Sequence, residues 1–161
     1  MADTILDQII DKLVLALKTI TVANGYNTEV VSVYEPATIA GSQRPPSVTF
    51  SVELVQGDEV RNDDWAAAGN PPLVGWDVVL PISMIYRPSD KETDPIRHVL
   101  NLFWADVTKV LQADPLWDGL ALDTNIGDPV PFIDATDGYV GKTAITVITY
   151  RHYENDPYTQ P

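Results

Sequence analysis

Residues that could do chemistry are few in this chain, and each has a plainer reading beside it. Gly138-Tyr139-Val140-Gly141-Lys142-Thr143 has the outline of a phosphate-binding loop. That motif needs a glycine five residues before Gly141, where Thr136 stands, and a helix after it whose N–H groups meet the phosphate. A strand follows instead, so the segment reads as a turn entering a hairpin. Asp134-Ala135-Thr136-Asp137-Gly138 and the group Asp58, Glu59, Asp63 and Asp64 are carboxylate clusters. Neither has the ligand offsets of a calcium loop, and both read as solvated turns. His98 and His152 are the two histidines, and no serine or carboxylate stands at a motif spacing from either. No metal, cofactor or catalytic group is therefore expected. Trp65 is different: it stands in a polar, acidic stretch before three alanines. An aromatic there is either a local plug or an anchor for a partner. Tyr158, in the tail, is a weaker candidate of the same kind.

The elements that position these residues follow from periodicity. Ile5, Ile9, Leu13, Leu17 and Ile20 recur at helical spacing, which predicts a helix over 4–22, capped by Asp3 or Thr4 and stopped by Asn24-Gly25. A strand is expected over 28–35, ended by Pro36. A loop at 40–46 contains Pro45-Pro46. Val48, Phe50, Val52 and Leu54 then alternate with polar residues, predicting a half-buried strand over 47–55. Residues 56–72 read as a long polar connection or an extended hairpin tip. A long strand over 73–87 contains Pro81, which predicts an edge position or a bulge. A second helix is expected over 95–112, with Thr93 or Asp94 as cap, Pro95 at its first position and Asp114-Pro115 as its end. The stretch 116–138 is loop-rich, with short strand candidates at 119–124 and 129–133. The last strand, 142–153, is dense in β-branched residues, and 154–161 is a flexible tail. Helices set apart and strands in hairpin order predict an α+β fold: a mostly antiparallel sheet with two amphipathic helices packed on one face.

Bulk composition narrows the function. The 161 residues fit one domain, 1–161. There are 23 acidic and 10 basic residues, a formal charge of −13. An acidic surface repels phosphate, which disfavours nucleic-acid binding by counterion release and binding to anionic membranes. Cysteine is absent, which excludes thiol catalysis, zinc–thiolate sites and disulfides, and favours a reducing compartment. The start Met1-Ala2-Asp3-Thr4 is not basic and no signal-like run follows it, so the expected location is the cytoplasm where the chain is made.

The order of features resembles the tail terminator, or tail completion, proteins of long-tailed bacteriophages. The shared pattern is the N-terminal amphipathic helix Ile5-x3-Ile9-x3-Leu13-x3-Leu17, then Gly25-Tyr26-Asn27-Thr28 leading into a strand. Pro45-Pro46 precedes the alternating strand Val48-Thr49-Phe50-Ser51-Val52-Glu53. A long loop and long strand lead to a helix opened by Asp94-Pro95, and a β-rich segment, Ile145 to Tyr153, closes the chain. The resemblance covers nearly the whole chain, is one of architecture and pattern, and leaves 113–138 unaccounted for. It implies a structural virion protein of the tail or neck, assembled in the host cytoplasm and without enzyme activity. Such a protein forms a ring, commonly a hexamer, that caps the tail tube, stops its growth and joins it to the capsid neck. The implied partners are further copies of itself, the tail tube protein and a neck stopper or connector; DNA passes through without specific binding. Asp58, Glu59, Asp63, Asp64, Trp65, Pro81 and Tyr158 are the expected partner-contact residues. The alternatives are another neck or tube component (stopper, adaptor, tube subunit), a baseplate accessory or adhesion domain, or a small acidic enzyme or ligand-binding domain.

Overall fold

In the computed structural model, which describes residues 3–34, 50–55, 57–91, 93–159 and 161, Thr4 starts the first helix. Its side chain accepts a hydrogen bond from Asp7 N–H at 3.1 Å, and the Asp7 carboxylate accepts one from Thr4 N–H at 3.1 Å. This reciprocal cap satisfies donors that the first helical turn leaves free. Helix α1 (Ile5–Lys18) buries Ile5, Ile9, Leu13 and Leu17 completely. It ends before the expected residue 22, because Thr19 closes it. A single 3-10 turn, Val22–Asn24, then runs to Gly25, whose φ of 81° is the left-handed stop.

Strand β1 (Val30–Tyr34) lies parallel to β2 (Phe50–Leu54), and every other pairing in the sheet is antiparallel. The remaining strands are β3 (Glu59–Arg61), β4 (Leu73–Tyr86), β5 (Ala121–Ile126), β6 (Val130–Asp134) and β7 (Tyr139–Tyr153). Their order is β1-β2-β4-β7-β5, with β3 also on β4 and β6 also on β7. Helix α2 (Ile96–Ala113) begins one residue later than expected, with Pro95 in the N-cap position and no side-chain cap. The expected loop 40–46, with Pro45-Pro46, and the strand start at 47–49 lie outside the described residues, as do Glu35 and Pro36.

β2 and β3 form one strand path beside β4, interrupted once. Leu54 pairs with Ile82 and Glu59 with Val78, so the outer path takes one residue more than the inner. β5 and β6 repeat this beside β7: Ile126 pairs with Thr146 and Val130 with Thr143. Both extra residues are β-bulges, and they flank the same cross-strand pair, Pro81–Ile145. Pro81 O accepts from Val55 N–H at 3.1 Å, so the ring nitrogen of Pro81 faces the interrupted ladder, where no donor is demanded. The bulge expectation for Pro81 holds and the edge expectation is corrected: β4 runs between β2 and β7. The stretch 56–72 is the extended hairpin tip, containing β3 and a 3-10 turn at Asp63–Trp65.

Both helices pack on one side of this sheet. Val52, Leu54, Val78, Leu80, Ile82, Met84 and Ile148 meet Phe103, Val107 and Val110 of α2 and the apolar stripe of α1 in one buried cluster. Phe50 joins the edge of that layer, stacked on Tyr86 at 4.7 Å and edge-on to Phe103 at 5.0 Å. The region read as loop-rich contains β5 and β6, close to the strand candidates at 119–124 and 129–133. The tail expected to be flexible is tied to the body as far as residue 157. Glu154 N–H donates to Pro72 O at 2.9 Å, and Pro157 O accepts from Ile5 N–H at 3.0 Å.

Candidate interaction surface

A sheet with helices on one side and water on the other should alternate apolar and polar residues. β4 and β7 do not. Their helix-side residues are mostly apolar, and so are Val79, Pro81 and Ile85 of β4 and Ile145 and Val147 of β7, which point the other way. Near-continuous apolar strands are the pattern of a sheet covered on both faces. Among the described residues no α-helix packs on the second face, although Trp65 covers one end of it and Ile85 there is buried. Ile145 is 55% exposed, Val130 on β6 65% and Val60 on β3 56%.

Two glycines shape the ends of this face. A Cβ on Gly75 would lie 2.7 Å from the Cβ of Trp65, and one on Gly141 2.5 Å from the ring of Phe132. Each aromatic residue therefore rests where its glycine leaves room. Trp65 is brought there by the hairpin tip: Asn62 Oδ1 caps the 3-10 turn through Asp64 N–H at 3.1 Å, and Asn62 N–H donates to Gly75 O at 2.9 Å. Trp65 remains 43% exposed, so it plugs the sheet end and still offers ring surface outward.

Across the middle of the face run Val79, Pro81, Ser83, Thr143, Ile145, Val147, Asn125 and Val130, and none is charged. Charges stand at the margins: Glu53, Asp77, Asp123 and Arg151. Asp77 is engaged by Asn62 Nδ2 at 2.7 Å and by the Thr149 hydroxyl.

Of the residues expected to meet partners, Trp65 and Pro81 are brought onto this one face. The others are not. Glu59 projects to the helix side, where its carboxylate accepts from Tyr150 O–H at 2.9 Å. Burial, and next the Glu59 carboxylate, hold the Tyr150 hydroxyl well above the usual tyrosine range. Asp63 pairs with Arg61 at 2.7 Å, and Asp58 and Asp64 are exposed on the same hairpin. Tyr158 is exposed in the tail, with its N–H on Asp156. Thr159 and that N–H hold the Asp156 carboxyl below its ordinary value. Sequence reasoning missed Val60, Val130 and Ile145. The signal for Ile145 was the unbroken β-branched run of β7, which a half-solvated strand does not need.

The residues weighed for chemistry take the plainer roles. Gly138, at φ 71°, makes the turn into β7, so a strand follows the glycine-lysine pair. Asp134 Oδ1 accepts from Thr136 N–H at 3.1 Å and Asp137 N–H at 3.3 Å, closing a local turn. His98 is exposed in the first turn of α2. His152 lies at the far end of β7, stacked on Trp76 at a ring separation of 6.3 Å. Among the described residues no group of three or more histidine or carboxylate side chains could hold a metal ion.

On the helix side, opposite the uncovered face, a groove of about 280 Å³ opens between α1, the end of α2 and the turn that follows it. Leu15, Ala16, Tyr26, Val110, Ala113 and Trp117 supply its apolar lining. Lys12 and Asp118 pair at its rim, and Lys109 stands 4.6 Å over the Tyr26 ring. Compared with known proteins, the chain matches no family model and no curated protein.

Proposed function

We propose that this chain is a structural, ring-forming protein that caps a bacteriophage tail tube, ends its growth and joins it to the neck. The observation that carries the reading is the second face of the sheet. Among the described residues, strands with apolar side chains on both sides meet α-helices on one side only, in a molecule of charge −13. An exposed, uncharged apolar face of this kind marks a protein contact. The order of elements is the one the terminator resemblance implies, from the amphipathic α1 through the long β4 and α2 to the β-rich close. Carboxylates on the hairpin, Asp58, Asp63 and Asp64, would repel phosphate in a ring lumen, so DNA would slide through without adhering.

The test is mass measurement by light scattering or native mass spectrometry, with and without tail tubes. A closed ring, alone or on tubes, is expected. Trp65→Ala should weaken assembly while changing folding stability by no more than about 1 kcal/mol, the range of a half-exposed site. A chain that ignores tubes and converts a small molecule would replace this reading with the enzyme alternative. Incorporation along the tube rather than at its end would favour a tube subunit.

A further inference from the structure

The turn after α2 holds two residues in a backbone conformation that side chains rarely adopt. Trp117 has a φ of 51° and Asp118 of 57°, both left-handed, ahead of Gly119 at 84°. That conformation is costly for a bulky residue, so its surroundings must impose it. Asp118 N–H donates to Asp114 Oδ2 at 2.6 Å, Trp117 Nε1–H donates to Thr124 Oγ1 at 3.0 Å, and the Thr124 hydroxyl donates to Pro115 O at 2.6 Å. The turn makes buried Trp117 the floor of the helix-side groove and sets the carboxylates of Asp114 and Asp118 beside it. Strain held in this way is found where the placing of side chains matters. We propose that this groove binds an arginine side chain, with its apolar neighbours, from a short extended segment of a partner protein. The proposal goes beyond the ring reading, does not depend on it, and concerns a different surface.

Charge complementarity identifies the occupant. The lining holds two carboxylates, Asp114 and Asp118, against one ammonium, Lys12, in a molecule of charge −13. Anions are repelled there and cations drawn in. The chain's own lysines already take cation positions at the sides: Lys12 pairs with Asp118, and Lys109 lies over the Tyr26 ring. Lys12 and Asp118 are 39% and 73% exposed, and so accessible a pair stabilises little, so an incoming cation displaces the ammonium at small cost. Among the described residues no cation pairs with Asp114. Arginine suits the place better than lysine, because its planar fork can donate to both carboxylates while its stem lies on Ala16, Val110 and Ala113. Size and shape set the rest. A volume of about 280 Å³ lies at the small end of ligand sites, enough for a side chain or two. Lys12, Leu15, Ala16 and Thr19 line the groove along about 10 Å of α1, at about 1.5 Å per residue, which is the reach of three extended residues at about 3.3 Å each. Leu15 and Leu116, both exposed, flank it and give the arginine's neighbours apolar surface to cover.

The probe is the peptide acetyl-Leu-Arg-Leu-amide, titrated into the parental chain and followed by amide-resolved NMR. Saturable shifts are expected at Leu15, Ala16, Asp114 and Asp118, and the same peptide with glutamate in place of arginine should give none. Asp114→Asn and Asp118→Asn each keep an oxygen for the turn, and asparagine tolerates the left-handed conformation; together they should weaken binding about tenfold. Lys12→Gln removes the competing ammonium and should tighten binding about fivefold. Lys18→Gln, which removes the same charge from the same helix away from the groove lining, should leave it unchanged; a merely structural Lys12–Asp118 pair would not separate these two variants. Melting curves check that each variant folds, and Ala16→Leu, which fills the groove without changing its charge, stands in for the double variant and should abolish binding. Absence of saturable binding, equal binding of the glutamate peptide, shifts centred away from the groove, or full affinity in the double variant each overturns the proposal. Agmatine, a guanidinium on a short stem, separates the sources: if it binds as tightly as the peptide, the site takes a small amine and the assignment to a partner segment falls.

Discussion

Asp106 shows most clearly how single residues hold this molecule in shape. It lies on the buried side of α2 among Phe103, Val107 and Val110, where a carboxylate is costly unless its oxygens are fully used. They are used. Oδ2 accepts from Asn27 N–H at 2.9 Å, Thr28 N–H at 2.8 Å and the Thr28 hydroxyl at 2.7 Å, while Oδ1 accepts from Asn27 Nδ2 at 2.8 Å. The carboxylate thereby anchors the approach to β1 against α2. Asp106→Ala would strand two backbone donors and the Thr28 hydroxyl, and should cost about 3 kcal/mol of folding stability. Urea unfolding reads this directly, and a midpoint unchanged from the parent would mean that the donors find other acceptors. Half of this feature was legible in the sequence, since an aspartate falls on an apolar stripe at helical spacing. The other half was not, because Asn27 and Thr28 lie far away in the chain and nothing local announces the pairing. Trp65 is similar. Its sequence setting left plug and anchor open; the close fit over Gly75 and the exposed ring show that one side chain plugs the sheet end while still presenting surface.

At the scale of elements, the sheet depends on two bulges that break the outer strand paths level with Pro81 and Ile145. Alternation made the strands themselves readable, and Pro81 pointed to a bulge because a ring nitrogen has nothing to donate. Register was not readable, since it is a relation between strands that no single strand carries. The glycines at the bulges are the local trace of it. Gly57 N–H donates to Val79 O at 2.7 Å and Gly127 N–H to Ile145 O at 2.9 Å. A Cβ would stand 2.6 Å from Val79 O and 2.8 Å from Ile145 O, too close to backbone that cannot swing aside. Gly57→Ala and Gly127→Ala should each cost about 1–3 kcal/mol through forced backbone shifts. Gly138→Ala serves as the control. Open space surrounds it, so its cost is limited to the left-handed φ, about 1 kcal/mol. Equilibrium denaturation of the three variants orders them, and bulge variants no worse than Gly138→Ala would show that the outer strands slide to a new register without penalty.

For the whole molecule, fold class was legible because the two apolar stripes and the alternating runs are local patterns, whereas the uncovered face is a property of layers. Its one local sign was that the middle of β7, from Ala144 to Ile148, has apolar residues on both sides, which a chain with a single helix layer does not require. The charge of −13 then sets how copies should respond to salt. If charge pairs joined them, added salt would weaken the contact. If an uncharged apolar face joins them against the repulsion of the remaining surface, salt should strengthen it. The screening length falls from about 10 Å at 0.1 M salt to about 3 Å at 1 M, so repulsion between acidic rims fades while apolar burial persists. Association measured by sedimentation equilibrium should therefore tighten steadily over that range of sodium chloride. Loosening would show that ion pairs such as those available to Arg61 or Lys12 carry the contact, and would move the interface from the centre of the sheet face to its charged margins.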